Sequence, residues 1–248
     1  MKYGKGDAAV VVNMATRPVL FQALRKRFDK GDGFALATLN LDHLTKLPSD
    51  PTFAAAYSAQ DLIVADGRPV VWLSQLARQP VELMPGSDLI LPLCELAADL
   101  SLPIAFFGSD QNALNGAARV LQARVPGLEI CHITAPPMGF APSSLEADAA
   151  LREIAQSGAR LCFLALGAPK QEILAARGRE IAPGVGFASV GAGLDFLAKR
   201  QRRAPKWMRM LALEWLWRTL QSPLRMVPRY ARCFAILPRL TFDAWRMR

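Results

Sequence analysis

Two apolar runs in the first third of the sequence end at polar residues that could do chemistry. Phe34–Leu39 contains Thr38 and leads into Asn40, and Leu62–Ala65 leads into Asp66. A carboxylate at the end of a strand can act as a general base when a substrate hydroxyl comes within hydrogen-bond reach. The same residue types also cap helices and satisfy loop amides. Spacing alone therefore does not decide whether Asp66 and Thr38 have a catalytic or a structural role.

Glycine-rich segments lie next to this first pair and after two later apolar runs. Gly67, directly after Asp66, would let a ligand approach the backbone closely. Segment 167–172 (GAPKQE) would place a helix N-terminus after a strand, which favours anions, with Lys170 and Gln171 as further donors. Segment 184–195 contains Gly-x-Gly without a correctly placed third glycine. It therefore supports a nucleotide-dependent oxidoreductase only weakly.

The basic residues are concentrated at the C-terminal end of the chain. The net charge is +9, yet residues 199–248 hold 13 Lys and Arg against two acidic residues, and the first 198 residues carry −2. Four of the five tryptophans lie in the same segment. Basic residues interleaved with tryptophan favour an anionic membrane surface. Two alternatives remain: the segment binds nucleic acid, or it is a solvated basic helix whose tryptophans pack on the body.

The pattern of this segment predicts a helix from about 204 to 221, followed by short pieces broken at Pro223, Pro228 and Pro238. Arg218, Arg225, Arg229 and Arg232 would share one face only if the backbone were helical throughout. Clustered arginines suit bidentate recognition of phosphate, and a diphosphate would fit such a cluster. A solvated face is the alternative.

Before residue 199, short apolar runs alternate with amphipathic stretches. Further predicted strands are Ile104–Phe107, Leu128–Ile133, Leu161–Leu166 and Val185–Val190, and predicted helices are Arg17–Lys30, Ser87–Leu100, Gln111–Arg124 and Ser144–Gln156. Near-continuous apolar strands are typical of a sheet buried on both faces. The alternation predicts an α/β fold with a Rossmann-like, mostly parallel sheet flanked by helices, and ligands beyond the carboxyl ends of its strands. We divide the chain into an α/β body, residues 1–198, and a basic α-helical C-terminal segment, residues 199–248.

Composition argues against several classes of protein. Four scattered cysteines without a C-x-x-C pair, and only two histidines, argue against a disulfide framework, a zinc ribbon and a His-rich metal site. No apolar stretch reaches the ~18 residues of a spanning helix. The N-terminus shows neither the apolar core nor the cleavage site of a signal peptide. We expect no metal and a protein that stays on the side of the membrane where it is made.

Taken together, nine short motifs resemble the bacterial WecG/TagA/CpsF glycosyltransferases. Each motif is weak alone, but the set of G-A-P-K-Q-E, R-A-P-x-W and E-W-L-x-R is specific. The motifs occur in the family's order over about residues 10–230. The matching pieces are Thr38–Asn40, Ala65–Gly67, Gly86–Leu89, Leu166–Glu172, Val190–Phe196, Arg203–Trp207, Leu213–Arg218, Pro223–Arg225 and Arg229–Tyr230.

The resemblance implies an inverting glycosyltransferase that uses a UDP-sugar. The sugar would be N-acetylmannosamine, its uronic acid or a hexose. The acceptor would be a polyprenyl-diphosphate-linked saccharide in cell-surface polysaccharide or teichoic acid biosynthesis. The resemblance further implies a Rossmann-type core with a C-terminal appendage that closes the site at the membrane, and it implies neither a cofactor nor a metal.

When the family's residue roles are transferred to the matching positions, the resemblance implies that Asp66 is the general base and Thr38 a second catalytic residue. The implied substrate-binding residues are Asn40, Gly67, Lys170, Gln171, Glu172, Gly191, Asp195, Arg218, Arg225 and Arg229. The arginines would hold the diphosphate of the donor or of the lipid. Many members carry an arginine shortly before the Gly-Ser-Asp turn, where this chain has Leu83. Arg68 or Lys170 is the expected replacement donor.

The expected partners are a UDP-sugar donor, a lipid-diphosphate-linked acceptor and an anionic membrane surface, without nucleic acid. The sequence does not decide whether the protein forms a homo-oligomer. The expected location is the bacterial cytoplasm, peripherally on the inner face of the cytoplasmic membrane. The alternative function is a non-catalytic membrane-lipid or nucleic-acid binding module on a degenerate enzyme fold. Such a module would show salt-sensitive binding without sugar transfer or affinity for UDP.

Overall fold

A parallel β-sheet forms the centre of the protein. The computed structural model describes residues 1–4, 9–198, 200, 204–205, 207–208, 211 and 213–248. The sheet has six strands in the order β4-β3-β8-β7-β5-β6, and each neighbouring pair is parallel. Its strands are β3 (Phe34–Leu39), β4 (Leu62–Ala65), β5 (Ile104–Gly108), β6 (Ile130–Thr134), β7 (Leu161–Ala165) and β8 (Gly186–Ser189). Strands β1 (Lys2–Tyr3) and β2 (Val10–Val11) form a separate antiparallel pair.

Helices cover both faces of the sheet and continue beyond it at the C-terminus. Those before residue 199 are α1 (Arg17–Lys30), α2 (Leu41–Lys46), α3 (Pro51–Ser58), α4 (Arg68–Leu76), α5 (Gly86–Asp99), α6 (Gln111–Arg124), α7 (Leu145–Gln156), α8 (Lys170–Ile181) and α9 (Gly193–Leu197). The C-terminal segment contributes α10 (Glu214–Gln221) and α11 (Pro223–Arg246). None of the described helices is long and apolar enough to cross a bilayer.

The apolar strands form elements because both of their faces are covered. Every residue of β3, β4, β5, β7 and β8 is buried. Alternate side chains point to opposite faces, so Phe34 and Leu36 pack with α1, α5 and α6, whereas Ala35 packs with α7 and α8. Helix α1 begins with a proline in its first turn and ends at Gly31, whose φ of 77° suits glycine.

The structure confirms the α/β architecture and most of the predicted elements. Four elements, β3, β4, α1 and α6, have the predicted bounds, and the other predicted strands and helices of residues 1–198 are present with ends shifted by one or two residues. The β1–β2 pair and helices α2, α3, α4 and α9 were not predicted. Three of these additions matter for the site. Helices α2 and α4 follow β3 and β4, just after Asn40 and Asp66, and α3 packs with both helices in one core cluster.

The C-terminal segment differs from its prediction in two ways. Leu211 lies in a turn and α10 begins at Glu214, so a continuous helix from 204 to 221 is wrong within the described residues. The predicted breaks at Pro228 and Pro238 are also wrong, because α11 continues through both prolines. An interior proline removes one helical hydrogen bond, but packing against the body retains the helix: Ala244 is buried in the core around α2–α4, and Ile236 and Leu240 pack against it.

Candidate active site

A large cavity lies between the carboxyl edge of the sheet and the C-terminal helices. Its volume is about 1610 Å³, which exceeds the ~300–1,000 Å³ of a typical small-molecule pocket. Its walls come from the ends of β3, β4, β7 and β8, from helices α2, α4 and α5, and from α10 and α11. Ten of the twelve predicted site residues line it: Thr38, Asn40, Asp66, Gly67, Gln171, Gly191, Asp195, Arg218, Arg225 and Arg229.

Asp66 lies at the first position after β4, where the chain turns into α4. Its backbone N–H donates to the carbonyl of Leu39 at 2.7 Å, and Gly67 turns the chain with a φ of 97°. Gly67, not Asp66, occupies the N-cap position of α4, and no side-chain cap is formed there. The structure therefore contradicts the capping alternative for Asp66 and leaves its carboxylate facing the cavity.

The surroundings of Asp66 give it the acidity of a general base. Burial raises the pKa of Asp66 to about 7; the Arg218 charge opposes this shift, and the carboxylates of Glu214 and Asp88 add to it. A carboxylate whose pKa is near neutrality is both ionised in a useful fraction and basic enough to accept a proton in a transition state. A perturbed carboxyl in a cleft also marks a candidate functional site.

Asn40 is held in one orientation by a buried histidine. Its side-chain oxygen accepts from the backbone N–H of His43 at 3.1 Å, and its Nδ2 lies 3.2 Å from His43 Nε2. Burial lowers the pKa of His43 to about 3, so the ring is neutral. Since Nε2 accepts from Asn40, Nδ1 carries the proton and donates to Tyr57 Oη at 2.6 Å. Asn40 thus caps α2 and, with the buried Thr38, still lines the cavity.

The segment after β7 differs most from its predicted role. Lys170 donates to the carbonyl of Phe140 at 2.7 Å, and Glu172 is fully buried behind Gln171. Neither side chain is part of the cavity lining, so the structure does not place these two expected substrate contacts at the site. The sequence predicted a helix N-terminus within segment 167–172, and the helix begins at Lys170. It did not predict the direction of the Lys170 side chain, which is set by its hydrogen bond to the distant Phe140.

Gln171 connects two loops at the sheet edge. Its Oε1 accepts from the backbone N–H of Gly167 at 3.2 Å and of Gly191 at 3.0 Å, while its Nε2 donates to Glu172 Oε1 at 2.8 Å. Burial raises the pKa of Glu172 to about 7, against the hydrogen bond from Gln171. Gln171 therefore fixes the loops after β7 and β8 relative to each other while lining the cavity.

The arginines of the C-terminal helices face the sheet edge across the cavity. Arg218 on α10 forms an ion pair with Glu214 at 2.8 Å and lies over the Phe196 ring, 5.4 Å from its centroid. Arg225, Arg229 and Arg232 lie on α11 at spacings of four and three residues, and all three line the cavity. Because α11 continues through Pro228 as one helix, these three arginines share a face. The sequence alone had left this open.

Arg229 also ties α11 to the body. Its Nε lies 3.1 Å from Asp42 Oδ1, and Lys46 Nζ lies 2.7 Å from Asp42 Oδ2. Burial opposes ionisation of Asp42, but the Lys46 hydrogen bond and the Arg229 charge outweigh it and hold the pKa of Asp42 below its usual value. The cationic side of the cavity is thus anchored to the first turn of α2, next to Asn40.

Sequence reasoning missed several residues that line the cavity. Asp42 and Lys46 lie on a helix that was not predicted, and Trp72 lies on another. Arg68 lies in the lining, as expected of a replacement for the arginine absent at Leu83. Trp72, 53% exposed, was detectable as a large apolar residue after the Asp66–Gly67 turn. Asp195 accepts a hydrogen bond from Ser109 Oγ, a contact between the residue after β5 and α9 that the sequence does not reveal.

The site thus combines the carboxyl edge of a parallel sheet, a desolvated carboxylate and arginines on the opposite wall. Residues 8–248 match the model of the Glycosyl transferase WecG/TagA/CpsF family. The chain belongs to this family and is a glycosyltransferase, as its motifs indicated.

Two curated relatives carry the same name, N-acetylglucosaminyldiphosphoundecaprenol N-acetyl-beta-D-mannosaminyltransferase. The chain is 27% identical over 209 residues to the Bacillus spizizenii protein, and 25% identical over 211 residues to the Bacillus subtilis protein. Each alignment covers 82% of this chain and 79% of the relative. Within the described part of the chain, no group of three acidic, His or Cys side chains could hold a metal ion; metal independence stays a prediction.

Proposed function

We propose that the protein transfers N-acetylmannosamine, or a closely related sugar, from a UDP-sugar to a saccharide linked to polyprenyl diphosphate. The observation that carries this proposal is that Asp66 lines the same cavity as the four arginines of α10 and α11 described above. The names of the two relatives supply the sugar and the class of acceptor. The cavity volume leaves room for a nucleotide-sugar and the head of a lipid-linked acceptor together.

The reaction is a single displacement. An acceptor hydroxyl attacks the anomeric carbon, Asp66 takes its proton, the bond from that carbon to the donor diphosphate oxygen breaks, and UDP leaves with the electron pair. Attack opposite the leaving group inverts the anomeric centre. Fixed cations stabilise the departing diphosphate without reorganisation, and we assign this task to Arg218, which lines the same cavity as Asp66.

The acceptor places this reaction at a membrane, and we propose that the protein binds the inner face of the cytoplasmic membrane peripherally. An apolar tip formed by Leu220, Leu224 and Val227 surrounds the α10–α11 junction, with exposures of 68%, 95% and 53%. Arg225 lies within it. Exposed apolar side chains beside cations match the interface of an anionic bilayer. The proposed division of labour is therefore a body that carries the base and a C-terminal segment that carries cations and membrane contacts.

The test is a transfer assay with a panel of UDP-sugars. Purified protein is incubated with a polyprenyl-diphosphate-linked N-acetylglucosamine, with EDTA in one arm and Mg²⁺ in another, and UDP release and product mass are followed. The proposal expects transfer from one donor, an equal rate in both arms and inversion in the product's NMR spectrum. Absence of UDP release from every donor, with folded protein, would favour the non-catalytic binding module instead.

A further inference from the structure

The end of the cavity between α4 and α11 is apolar, in contrast to the sheet edge. Helix α4 contributes Trp72, Leu73 and Leu76 to this end, and α11 contributes Leu237 and Thr241. Trp72 and Leu73 lie four and three residues before Leu76, and Leu237 lies four residues before Thr241, so each set lies on one side of its helix. Trp72 is 53% exposed and Leu237 is half-buried. These five residues are called here the apolar groove. Leu73 is buried and Thr241 is polar, so the accessible apolar surface of the groove comes from Trp72, Leu76 and Leu237.

The lining of α11 changes character along the helix. Arg225, Arg229 and Arg232 line the cavity in its first half, and Leu237 and Thr241 line it in the second. Eight residues separate Arg229 from Leu237, which corresponds to about 12 Å along a helix. The α11 wall of the cavity therefore offers cations first and the apolar Leu237 further along, as an amphiphile with an anionic head would require.

The groove also has a direction relative to the catalytic carboxylate. Helix α4 starts two residues after Asp66, and its Leu76 carbonyl, at the other end, accepts from Arg248 Nε at 2.9 Å, just beyond α11. Asp66 and Arg229 both line the cavity at the near end. The groove therefore leads away from the point where an acceptor hydroxyl would be deprotonated and past the arginines of α11.

We propose that the apolar groove binds the first isoprenoid units of the acceptor lipid, with the diphosphate of that lipid on the arginines of α11. The proposal rests on the proposed function and deepens it, because it assigns the α11 arginines to the lipid. An acyl chain without an anionic head would leave these cations unmatched, whereas a prenyl diphosphate matches both halves of the wall.

The test compares two soluble probes, farnesyl diphosphate and inorganic pyrophosphate, by titration calorimetry in vesicle-free buffer below the micellar concentration. Wild-type protein should bind farnesyl diphosphate on the order of 100-fold tighter than pyrophosphate, as expected for burial of a few methylene groups. Leu237→Gln and Trp72→Ala should each reduce this ratio by about tenfold and leave pyrophosphate affinity unchanged. Phe242→Gln, on the same helix and 56% exposed outside the cavity, is the matched control and should keep the ratio.

A ratio near one in the wild type, or a ratio that survives both groove substitutions, would overturn the proposal. Loss of the ratio in a Leu220→Gln/Leu224→Gln variant with the groove intact would also overturn it, because the apolar tip would then hold the chain. The transfer assay separates this outcome from the proposed function. If sugar transfer is observed but the affinity ratio is near one, the groove proposal is wrong and the proposed function stands. If the affinity ratio depends on the groove but no transfer is observed, the groove proposal stands and the proposed function is wrong.

Discussion

The sheet edge and the C-terminal helices face each other across one cavity, but different interactions hold them in place. At the sheet edge, Asp66 follows a fully buried strand, and the Gln171 amide joins the loops after β7 and β8. The C-terminal helices are attached through the Arg229–Asp42 ion pair, the Arg218–Phe196 contact and the packing of α11 on the body.

This difference separates two chemical tasks. A general base must be positioned to within a fraction of an ångström, and main-chain bonds beside a buried strand provide that positioning. Stabilisation of a diphosphate acts over longer distances and tolerates long side chains. Substitutions at the sheet edge and in the C-terminal helices should therefore have different effects on the reaction.

The largest effect is expected for Asp66→Asn. The amide keeps the size of the side chain but cannot accept the hydroxyl proton, so the single-turnover rate should fall by about 10³-fold or more, near the upper range for general base catalysis. UDP affinity and the circular dichroism spectrum should remain those of the wild type. Asp29→Asn, on the exposed side of α1, is the matched control. A wild-type rate in D66N would exclude Asp66 as the base.

On the opposite wall, Arg229→Ala should lower kcat/KM by about 10²-fold, since one fixed donor to a diphosphate is lost. The Asp42 carboxylate also loses a partner, although Lys46 remains, so the free energy of unfolding should fall by roughly 1–2 kcal/mol. Steady-state kinetics and urea unfolding measure the two effects. Arg239→Ala serves as control because Arg239 is largely exposed on the same helix, outside the cavity; equal losses in both variants would contradict a specific role for Arg229.

Glu172 is buried behind the sheet edge and accepts a hydrogen bond from Gln171. Glu172 Oε2 finds no hydrogen-bond partner among the described residues, and burial raises the pKa of this carboxyl to about 7. Between the unfolded pKa of about 4.5 and 7, the folded state binds more protons, so stability falls as pH rises through this window. Glu172→Gln should remove up to about 3 kcal/mol of this decrease. Urea unfolding at pH 5 and pH 8 tests it, and an unchanged pH dependence would show that Glu172 does not titrate there.

The smallest effect is expected at the apolar tip. Leu220→Ser/Leu224→Ser should reduce binding to anionic vesicles by about tenfold or more, because two leucines lose contact with the bilayer. Met138→Ser/Leu145→Ser removes equally exposed apolar side chains from the body and should change vesicle binding little. Co-sedimentation measures both. Equal binding of the tip variant and wild type would place the membrane contact elsewhere.

The sequence predicted the sheet edge better than the C-terminal helices. Continuous apolar runs define β3 and β4, so the positions of Thr38 and Asp66 follow from local pattern alone. The course of α11 does not, because its interior prolines are tolerated only through packing of Leu240 and Ala244 on distant parts of the chain. Lys170 shows the same limit, since its partner Phe140 lies 30 residues away.

The pH dependence of kcat/KM tests the central claim most directly, namely that a desolvated Asp66 is the base. Because only the ionised carboxylate accepts the proton, and burial raises the pKa of Asp66 to about 7, log kcat/KM should rise with slope one up to about pH 7 and then level off. A soluble acceptor keeps membrane binding out of the profile. A flat profile from pH 5 to 8 would contradict the account, and so would an acid limb that persists unchanged in the residual activity of D66N.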